Sequence, residues 1–501
     1  MAVTSENSPD FRDVPPKDAR YWAVLFTVTI VLILPILAVR HPPLVDYPNH
    51  LARAFILRHY GDTPVFRQNY ELHLAPIPNL ALDFVIPLFL HRFSVIAAGR
   101  MFLVLTVILF AAGCHLLGKA AHQQPTWLAL PCVFFVYSVE FLWGFMNFVF
   151  GLALFLICLA LWLRWRAHWT PGRLGLLTLL VTSTYFAHLM DYAFTALAIS
   201  VMALWYWSRR ETGFVRASLD VFPVIPPAFV FIAYMQRRGR LGSVEWDTLA
   251  RKAAAAATVV LTYHWPADAA LLAGFLIIAI IAALVVLGSG RVQVFRPLFV
   301  SALVFLLLYL VMPYKLLTGS DVDNRFVPAG LLLLVLSLRI EMPRRAARWL
   351  LLAWLVLSVV RLGVIWDTWR QLDKRTTEMI EAFSALPVGS RIYPAPCMDC
   401  ETKPERGLHH AILYATIYRD AFVPSLLALE SQEVIQFRRP AIIQEPGTPG
   451  WTTRLSDYDF VWSYVIPASA QQDLERCCKL ILQGNGFGIW EVPKESSNRG
   501  R

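Results

Sequence analysis

Charged residues are scarce in this chain. They make up 16% of its 501 residues, against about 25% in soluble globular proteins, while 57% of the residues are hydrophobic. This composition excludes an ordinary soluble domain and predicts an α-helical polytopic membrane protein. Acidic residues are also fewer than basic ones, 35 against 45, so the net charge is +10. Because Lys and Arg cluster between apolar runs, as expected beside anionic lipid headgroups, this charge does not indicate nucleic-acid binding.

Several catalytic signatures are missing from the sequence. It has no Walker loop, dinucleotide fingerprint, Gly-x-Ser-x-Gly elbow or His-Glu-x-x-His motif, which disfavours a nucleotide-driven enzyme. We also find no convincing cleavage site for a signal peptide. Residues 1–20 are polar and are expected to form a short cytoplasmic tail, and residues 21–39 are long enough to span a membrane as a retained anchor.

Apolar runs dominate residues 21–366 and predict a transmembrane domain of about eleven helices. The predicted spans are 21–39, 100–118, 127–139, 148–163, 174–187, 193–207, 219–235, 269–287, 297–313, 326–338 and 349–366. A further apolar piece, 79–93, has roughly 15 residues where about 20 are needed, so we expect an interfacial helix that does not cross. With the N-terminus inside, every short basic cluster between spans then falls on the cytoplasmic side, as the positive-inside rule requires.

The same topology gathers acidic and His residues on the exported face. The first exported loop, 40–99, contains Asp46, and short turns near residues 140 and 190 contribute Glu140, His188 and Asp191. Residues 367–501 regain Pro, Gly and charge, and their pattern predicts a small extracytoplasmic α/β domain. We therefore expect an integral protein of the bacterial inner membrane, with its N-terminus in the cytoplasm.

Asp46 lies in an unusually stiff loop. Prolines at 42, 43 and 48 flank it and restrict the local backbone. A carboxylate held in this way at a membrane surface suits acid–base chemistry or cation binding. The alternative is that Asp46 or Asn49 caps the helix predicted for residues 51–60.

Three short motifs and the overall architecture resemble one enzyme family. The motifs are Asp46-Tyr47-Pro48-Asn49-His50, Asn79-Leu80-Ala81-Leu82-Asp83 and Asp323-Asn324-Arg325-Phe326-Val327-Pro328. Together with one apolar anchor, a long first exported loop and a late exported α/β domain, they resemble the GT-C superfamily of membrane glycosyltransferases. Its members take sugars from polyprenyl-phosphate donors. The resemblance implies that Asp46 acts on the acceptor as a base or metal ligand, and that Arg325 contacts the donor phosphate.

The remaining site candidates follow from residue chemistry. His50 could assist Asp46, bind phosphate or only stack in the loop. The resemblance implies a second acidic residue in the exported turn after the third span, where this chain has Glu140 in place of the more usual Asp. Trp143 and Asn147 suit sugar binding, although Trp143 could simply anchor an interfacial turn. His188 and Asp191 form either a self-satisfying pair or a substrate contact. Lys315 and Arg53 are further phosphate candidates, and Asp323 either belongs to the donor site or pairs with Arg325.

Four of the seven cysteines lie in the polar C-terminal part. Cys397 and Cys400 have half of a zinc-site spacing, but disulfides are favoured on the exported side of a bacterial membrane. A Cys397–Cys400 bridge is one option, with Cys477 and Cys478 free or paired elsewhere. Pairing between the two sites is the other.

The function predicted from these observations is sugar transfer from a polyprenyl-phosphate donor to a glycan, lipid or protein on the exported face. A divalent cation, Mg²⁺ or Mn²⁺, is an open option that no motif requires. The alternatives are a transporter or flippase for lipid-linked material, and a non-catalytic membrane assembly protein. Polar groups at one face, with clean span centres, favour surface chemistry over a transport path.

Overall fold

The computed structural model describes residues 19–73, 75–237, 242–317, 319–397, 400, 403–428, 433–439 and 443–494. The predicted cytoplasmic tail, 1–20, lies almost wholly outside these ranges. The described residues are mostly helical, at 67%. It divides into two compact units: the span unit (Met1–Leu34, Leu105–Val139 and Phe148–Ile365) and the loop unit (Pro35–Val104, Glu140–Asn147 and Trp366–Arg501).

The α-helices and β-strands of the described residues are numbered in chain order. The helices are α1 (Ala19–Ala38), α2 (Tyr47–His59), α3 (Pro64–Asn69), α4 (Ala81–Leu90), α5 (Val95–His122), α6 (Ala129–Val133), α7 (Val139–Leu142), α8 (Met146–Trp165), α9 (Pro171–Ala187), α10 (Leu189–Ser208), α11 (Phe214–Val221), α12 (Ile225–Arg237), α13 (Leu249–Ala257), α14 (Trp265–Ser289), α15 (Arg296–Val311), α16 (Phe326–Leu336), α17 (Arg344–Ala382), α18 (Tyr414–Arg419) and α19 (Ala468–Cys477). The strands are β1 (Tyr70–Leu72), β2 (Ser243–Glu245), β3 (Arg291–Val294), β4 (Lys315–Leu317), β5 (Leu338–Glu341), β6 (Ile392–Ala395), β7 (Ile435–Phe437), β8 (Phe460–Tyr464), β9 (Lys479–Gln483) and β10 (Phe487–Glu491).

Seven helices within the described residues are long and apolar enough to cross a membrane. They are Ala19–Ala38, Val95–His122, Met146–Trp165, Leu189–Ser208, Phe214–Gln236, Trp265–Ser289 and Arg344–Ala385. Side chains on α14 are mostly apolar and exposed. Such a surface is compatible with lipid contact, because the hydrocarbon tails of lipids are themselves apolar. The chain is an integral membrane protein. The finer count of about eleven spans stays a prediction.

Two predicted elements have different bounds in the structure. The interfacial helix predicted for 79–93 is α4, whose 10 residues reach about 15 Å, half of a typical hydrocarbon core. The predicted last span, 349–366, is part of one longer continuous helix, α17, which runs on to Ala382. The change from apolar to polar sequence near residue 366 therefore marks a change of environment along a single helix.

The loop unit holds a mixed four-stranded sheet in the order β6-β8-β10-β9, with β6 and β8 parallel. A second, two-stranded sheet pairs β1 with β7, so that Tyr70 lies opposite Phe437. This pairing joins the first loop to the C-terminal segment within one unit. A separate C-terminal domain at 367–501 remains a prediction.

Arg361 is a buried cation on α17 of the span unit. Its Nε lies 3.0 Å from the carbonyl oxygen of Val260 and its Nη2 lies 3.2 Å from that of Leu261. It also donates to the carbonyl oxygen of Tyr137. The carbonyls near Val260 end a short 3₁₀ helix (Thr258–Val260), where backbone acceptors lack partners within the helix. Arg361 supplies the donors that these carbonyls need.

We expect Arg361→Met to lower the stability of the purified protein in detergent. Methionine keeps the length and packing of the side chain but leaves buried carbonyls without donors, at a cost of roughly 1–3 kcal/mol for each such group. The thermal unfolding midpoint measures this. Arg348→Met, at an exposed position of the same helix, is the control and should be neutral. Equal midpoints for the two variants would contradict the prediction.

Candidate functional site

Asp46 stands immediately before α2, yet its carboxylate does not cap that helix. It occupies the N-cap position, and its side chain accepts no hydrogen bond from the first turn. Within residues 41–54 it alone is not buried, and its side chain is 19% exposed. The Asp46 side chain therefore does not cap α2. The positive end of the helix dipole still favours a negative charge at this position.

The turn between α7 and α8 holds the Asp46 backbone from the other side. The amide N of Val45 lies 3.3 Å from the carbonyl oxygen of Leu142, and the amide N of Asp46 lies 3.0 Å from that of Trp143. Gly144 follows with φ of +86°, and a Cβ at that position would lie 2.5 Å from the Asp46 amide N. Only glycine fits this turn without strain, because a side chain would displace Asp46.

Basic side chains face the Asp46 carboxylate from the C-terminal segment. Nε2 of His410 lies 3.4 Å from Oδ1 of Asp46. Burial acts to raise the pKa of Asp46, but the hydrogen bond and charge of His410, with the charge of Arg406, outweigh it and hold that pKa below its ordinary value. Asp46 is consequently ionised at neutral pH.

Arg53 is buried between two carboxylates. Its guanidinium contacts both oxygens of Asp83 at 2.7 Å and also pairs with Glu433. The side chain is 1% exposed. A phosphate contact by Arg53, as the sequence suggested, would have to replace one of these ion pairs. Burial, with the nearby Asp83, raises the pKa of Glu433 to about 7 against the pull of Arg53.

His50 connects this ion cluster to Asp46. Its Nδ1 lies 3.2 Å from Nη2 of Arg53, and its backbone N donates to the Asp46 carbonyl over 3.3 Å. Burial and the charge of Arg53 lower the pKa of His50 to about 4. His50 is therefore a neutral imidazole at pH 7, which suits hydrogen bonding better than charge pairing with phosphate.

The three candidates on the 140–147 turn have different surroundings. Glu140 is buried on α7, and Trp143 is half-buried beside Asp46. Asn147 is buried, with its Oδ1 3.0 Å from the amide N of Leu82 and its Nδ2 donating to the carbonyl of Asn79. The Asn147 amide thus fastens the start of α4. A sugar contact there would have to displace one of these bonds.

The C-terminal segment is fastened to the first loop at a second point. One carboxylate oxygen of Asp373 accepts from the His41 amide N at 2.9 Å, and the other accepts from the Arg40 amide N at 3.0 Å. Nδ1 of His41 lies 3.1 Å from the same Asp373 side chain, and its Nε2 lies 3.2 Å from the hydroxyl of Tyr418. Asp373 is thus a structural anchor for the proline-rich loop.

The span unit contains the other candidates. His188 Nδ1 lies 3.0 Å from the carboxylate of Asp191, which is fully buried. Phe148 lies edge-on to His188 and also packs under the guanidinium of Arg325, which is 5.6 Å from its ring centre. The two turns that bear His188 and Arg325 therefore meet around one aromatic ring.

Asp323 and Lys315 both have partners in the span unit. Asp323 pairs with the buried Lys252 of α13, whose Nζ also donates to the carbonyl oxygens of Tyr309 and Met312. The structure gives Asp323 this partner, and its pairing with Arg325 stays a prediction. Lys315, on β4, is partly exposed, with its Nζ 3.1 Å from Glu245.

The metal options left open by the sequence concern the Asp46 site and the four C-terminal cysteines. Across the described ranges, no group of three or more His, Cys, Asp or Glu side chains is arranged to hold a metal ion. Asp46 is faced by imidazoles and a guanidinium, whereas Mg²⁺ prefers oxygen ligands. Cys397 and Cys400 form a disulfide, and Cys477 and Cys478 are free thiols.

Comparison with known proteins finds solved structures with a similar fold. No protein-family model and no curated protein sequence matches the chain. One matching solved structure is the arabinofuranosyltransferase AftD from Mycobacteria, with 13% identity and a TM-score of 0.50 over 97% of this chain and 40% of that one. The chain shares its fold with AftD, a GT-C glycosyltransferase. This agrees with the helical, GT-C-like fold expected from the sequence, while the count of about eleven spans and the C-terminal α/β domain stay predictions.

A second solved structure is ArnT from Cupriavidus metallidurans bound to undecaprenyl phosphate. It has 11% identity and a TM-score of 0.47, and the match covers 94% of this chain and 98% of that one. This chain spans less than half of the length of AftD and nearly all of ArnT. A shared fold does not assign roles to individual side chains, because these roles depend on this chain's own contacts.

Sequence reasoning missed three side chains of the candidate site: His410, Glu433 and Asp373. Each meets the first loop from more than 300 positions away in the chain. Asp83 was visible as a charge that interrupts an apolar run, which is the signal that a buried ion pair leaves in a sequence. No comparable local signal marks His410.

The raised pKa of Glu433 predicts a specific pH dependence of stability. Its folded-state pKa of about 7 exceeds the ordinary value of about 4.3, so the native state binds more protons than the unfolded state between these values. Stability should therefore fall as pH rises through this window, by roughly 1.4 kcal/mol for each pH unit at most. Glu433→Gln should remove this dependence.

Thermal unfolding of the purified protein at pH 5.5 and pH 8 measures the effect. Glu71→Gln, at an exposed position of strand β1, serves as the control. It should keep the wild-type difference in unfolding temperature between the two pH values. If Glu433→Gln keeps the wild-type difference in unfolding temperature, another group is responsible for the pH dependence of stability.

Proposed function

We propose that this protein is a membrane glycosyltransferase that moves a sugar from a polyprenyl-phosphate donor to a hydroxyl acceptor. The observation that carries the proposal is the state of Asp46. It is partly exposed, ionised, free of any capping bond and held by backbone contacts on two sides. These are the properties that a base needs in order to take a proton from an acceptor hydroxyl.

Sugar transfer at this site requires one proton movement. The acceptor oxygen bonds to the anomeric carbon as the bond from that carbon to the donor phosphate breaks, and the electron pair leaves with the phosphate. The acceptor proton passes to the carboxylate of Asp46. The GT-C fold, shared with AftD, supports the assignment to this reaction class.

The donor phosphate is assigned to Arg325, with Lys315 as a second cation. Arg325 stands at the start of α16, and guanidinium groups grip phosphate oxygens through two parallel hydrogen bonds. Trp143 and Glu140 are assigned to the acceptor side, because their turn packs against the Asp46 backbone. The reaction is assigned to the exported face, with the C-terminal segment extracytoplasmic.

Asp46→Asn should abolish transfer while leaving the protein folded and inserted. Asparagine keeps the size of the side chain but cannot accept the proton. In a deletion strain, mass spectrometry of lipid-linked and surface glycans identifies the missing product, and each variant is tested for its return. Asp62→Asn, at an exposed carboxylate just after α2, is the matched control and should restore the product. Restoration by Asp46→Asn would refute the assignment.

Arg325→Gln should weaken binding of a polyprenyl phosphate. We expect undecaprenyl phosphate to stabilise the purified wild type, by about 2.7 kcal/mol at a hundredfold excess over the dissociation constant. The variant should lose most of this stabilisation, because glutamine carries no charge for the phosphate. Arg348→Gln, at an exposed site of α17, controls for general charge loss. Full stabilisation of Arg325→Gln would remove this residue from the donor site.

A further inference from the structure

His410 meets the Asp46 carboxylate from the far end of the chain. The two side chains are 17% and 19% exposed, and their nearest atoms are Nε2 of His410 and Oδ1 of Asp46, 3.4 Å apart. His410 lies between two 3₁₀ helices, Pro404–Leu408 and Ala411–Leu413. Short helical turns on both sides leave this residue little backbone freedom.

The segment that carries His410 packs tightly on the proline-rich loop. At Gly407 a Cβ would lie 2.7 Å from the carbonyl oxygen of Pro43, so the two backbones approach more closely than any side chain would permit. The amide N of His409 lies 3.1 Å from the carbonyl oxygen of Arg406, and the amide N of Leu413 lies 3.0 Å from that of His410. The position of His410 relative to Asp46 is therefore set by backbone packing.

Among the described residues, His410 is the hydrogen-bonding partner of the Asp46 side chain, which makes no capping bond to α2. One carboxylate oxygen faces His410, and the second is available to another group. An aspartate carboxylate can turn about the Cα–Cβ and Cβ–Cγ bonds, so it needs such a contact if its second oxygen is to point in one direction.

We propose that His410 is a positioning residue of the Asp46 site, whose Nε2–H holds Oδ1 so that Oδ2 is aimed at the acceptor hydroxyl. This inference rests on the proposed function and extends it to a side chain of the C-terminal segment. In the transfer step the acceptor proton goes to Oδ2, and the Nε2–H of His410 stays in place as a donor. The C-terminal segment thereby completes the catalytic site.

The test compares His410→Ala, which removes the donor, with His410→Gln, whose amide NH₂ reaches a similar position. Initial rates of product formation are measured in membranes of the deletion strain, which supply their own donor and acceptor. We expect His410→Ala to lower the rate at least tenfold and His410→Gln to recover a substantial part. His59→Ala removes a surface His–Asp pair of the same unit and should have no effect.

Thermal unfolding of the same purified variants separates positioning from folding. We expect His410→Ala and His410→Gln to unfold near the wild-type temperature. A wild-type rate in His410→Ala, alongside no product from Asp46→Asn, would overturn the role of His410 and leave the proposed function intact. Equal losses of rate and unfolding temperature in both His410 variants would assign the residue to the scaffold and also overturn the inference. Product from Asp46→Asn would instead refute the proposed function.

Discussion

The loop unit depends on one buried cation. Arg53 of α2 is held between Asp83 of α4 and Glu433 next to β7. Removing one partner of such a cluster leaves a buried charge uncompensated, which costs several kcal/mol. Three segments from distant parts of the sequence therefore cannot separate without a large penalty, and the direction of α2 is set by this cluster.

The direction of α2 in turn sets the place of Asp46. Asp46 stands at the N-cap position of α2, and the turn around Gly144 fixes its amide from the opposite side. His41 and Asp373 hold the loop before it. A residue whose backbone is fixed at three points loses little backbone entropy when it meets a substrate, which is a main contribution that a scaffold makes to a reacting group.

The sequence predicts local features of this protein well and distant contacts poorly. Composition and apolar runs indicate the membrane class, and the proline-rich motif around Asp46 marks the stiff loop, because these signals lie within a few residues of each other. His410 and Glu433 carry no such signal, since their partners are more than 300 residues away.

The basic surroundings of Asp46 lower its strength as a base, which is a cost for its proposed role. A lowered pKa makes a carboxylate a weaker base, and burial alone would have raised it. Yet glycosyl transfer passes through an oxocarbenium-like transition state, in which the bond to the leaving group is largely broken. The acceptor hydroxyl grows more acidic as its oxygen bonds to the anomeric carbon, so the proton can be taken late by a weak base. What such a step demands is a carboxylate that is always ionised and correctly aimed. His410 and Arg406 supply the first condition. For the second, the backbone contacts of Val45 and Asp46 fix the position of the residue, and the proposed contact with His410 aims its carboxylate.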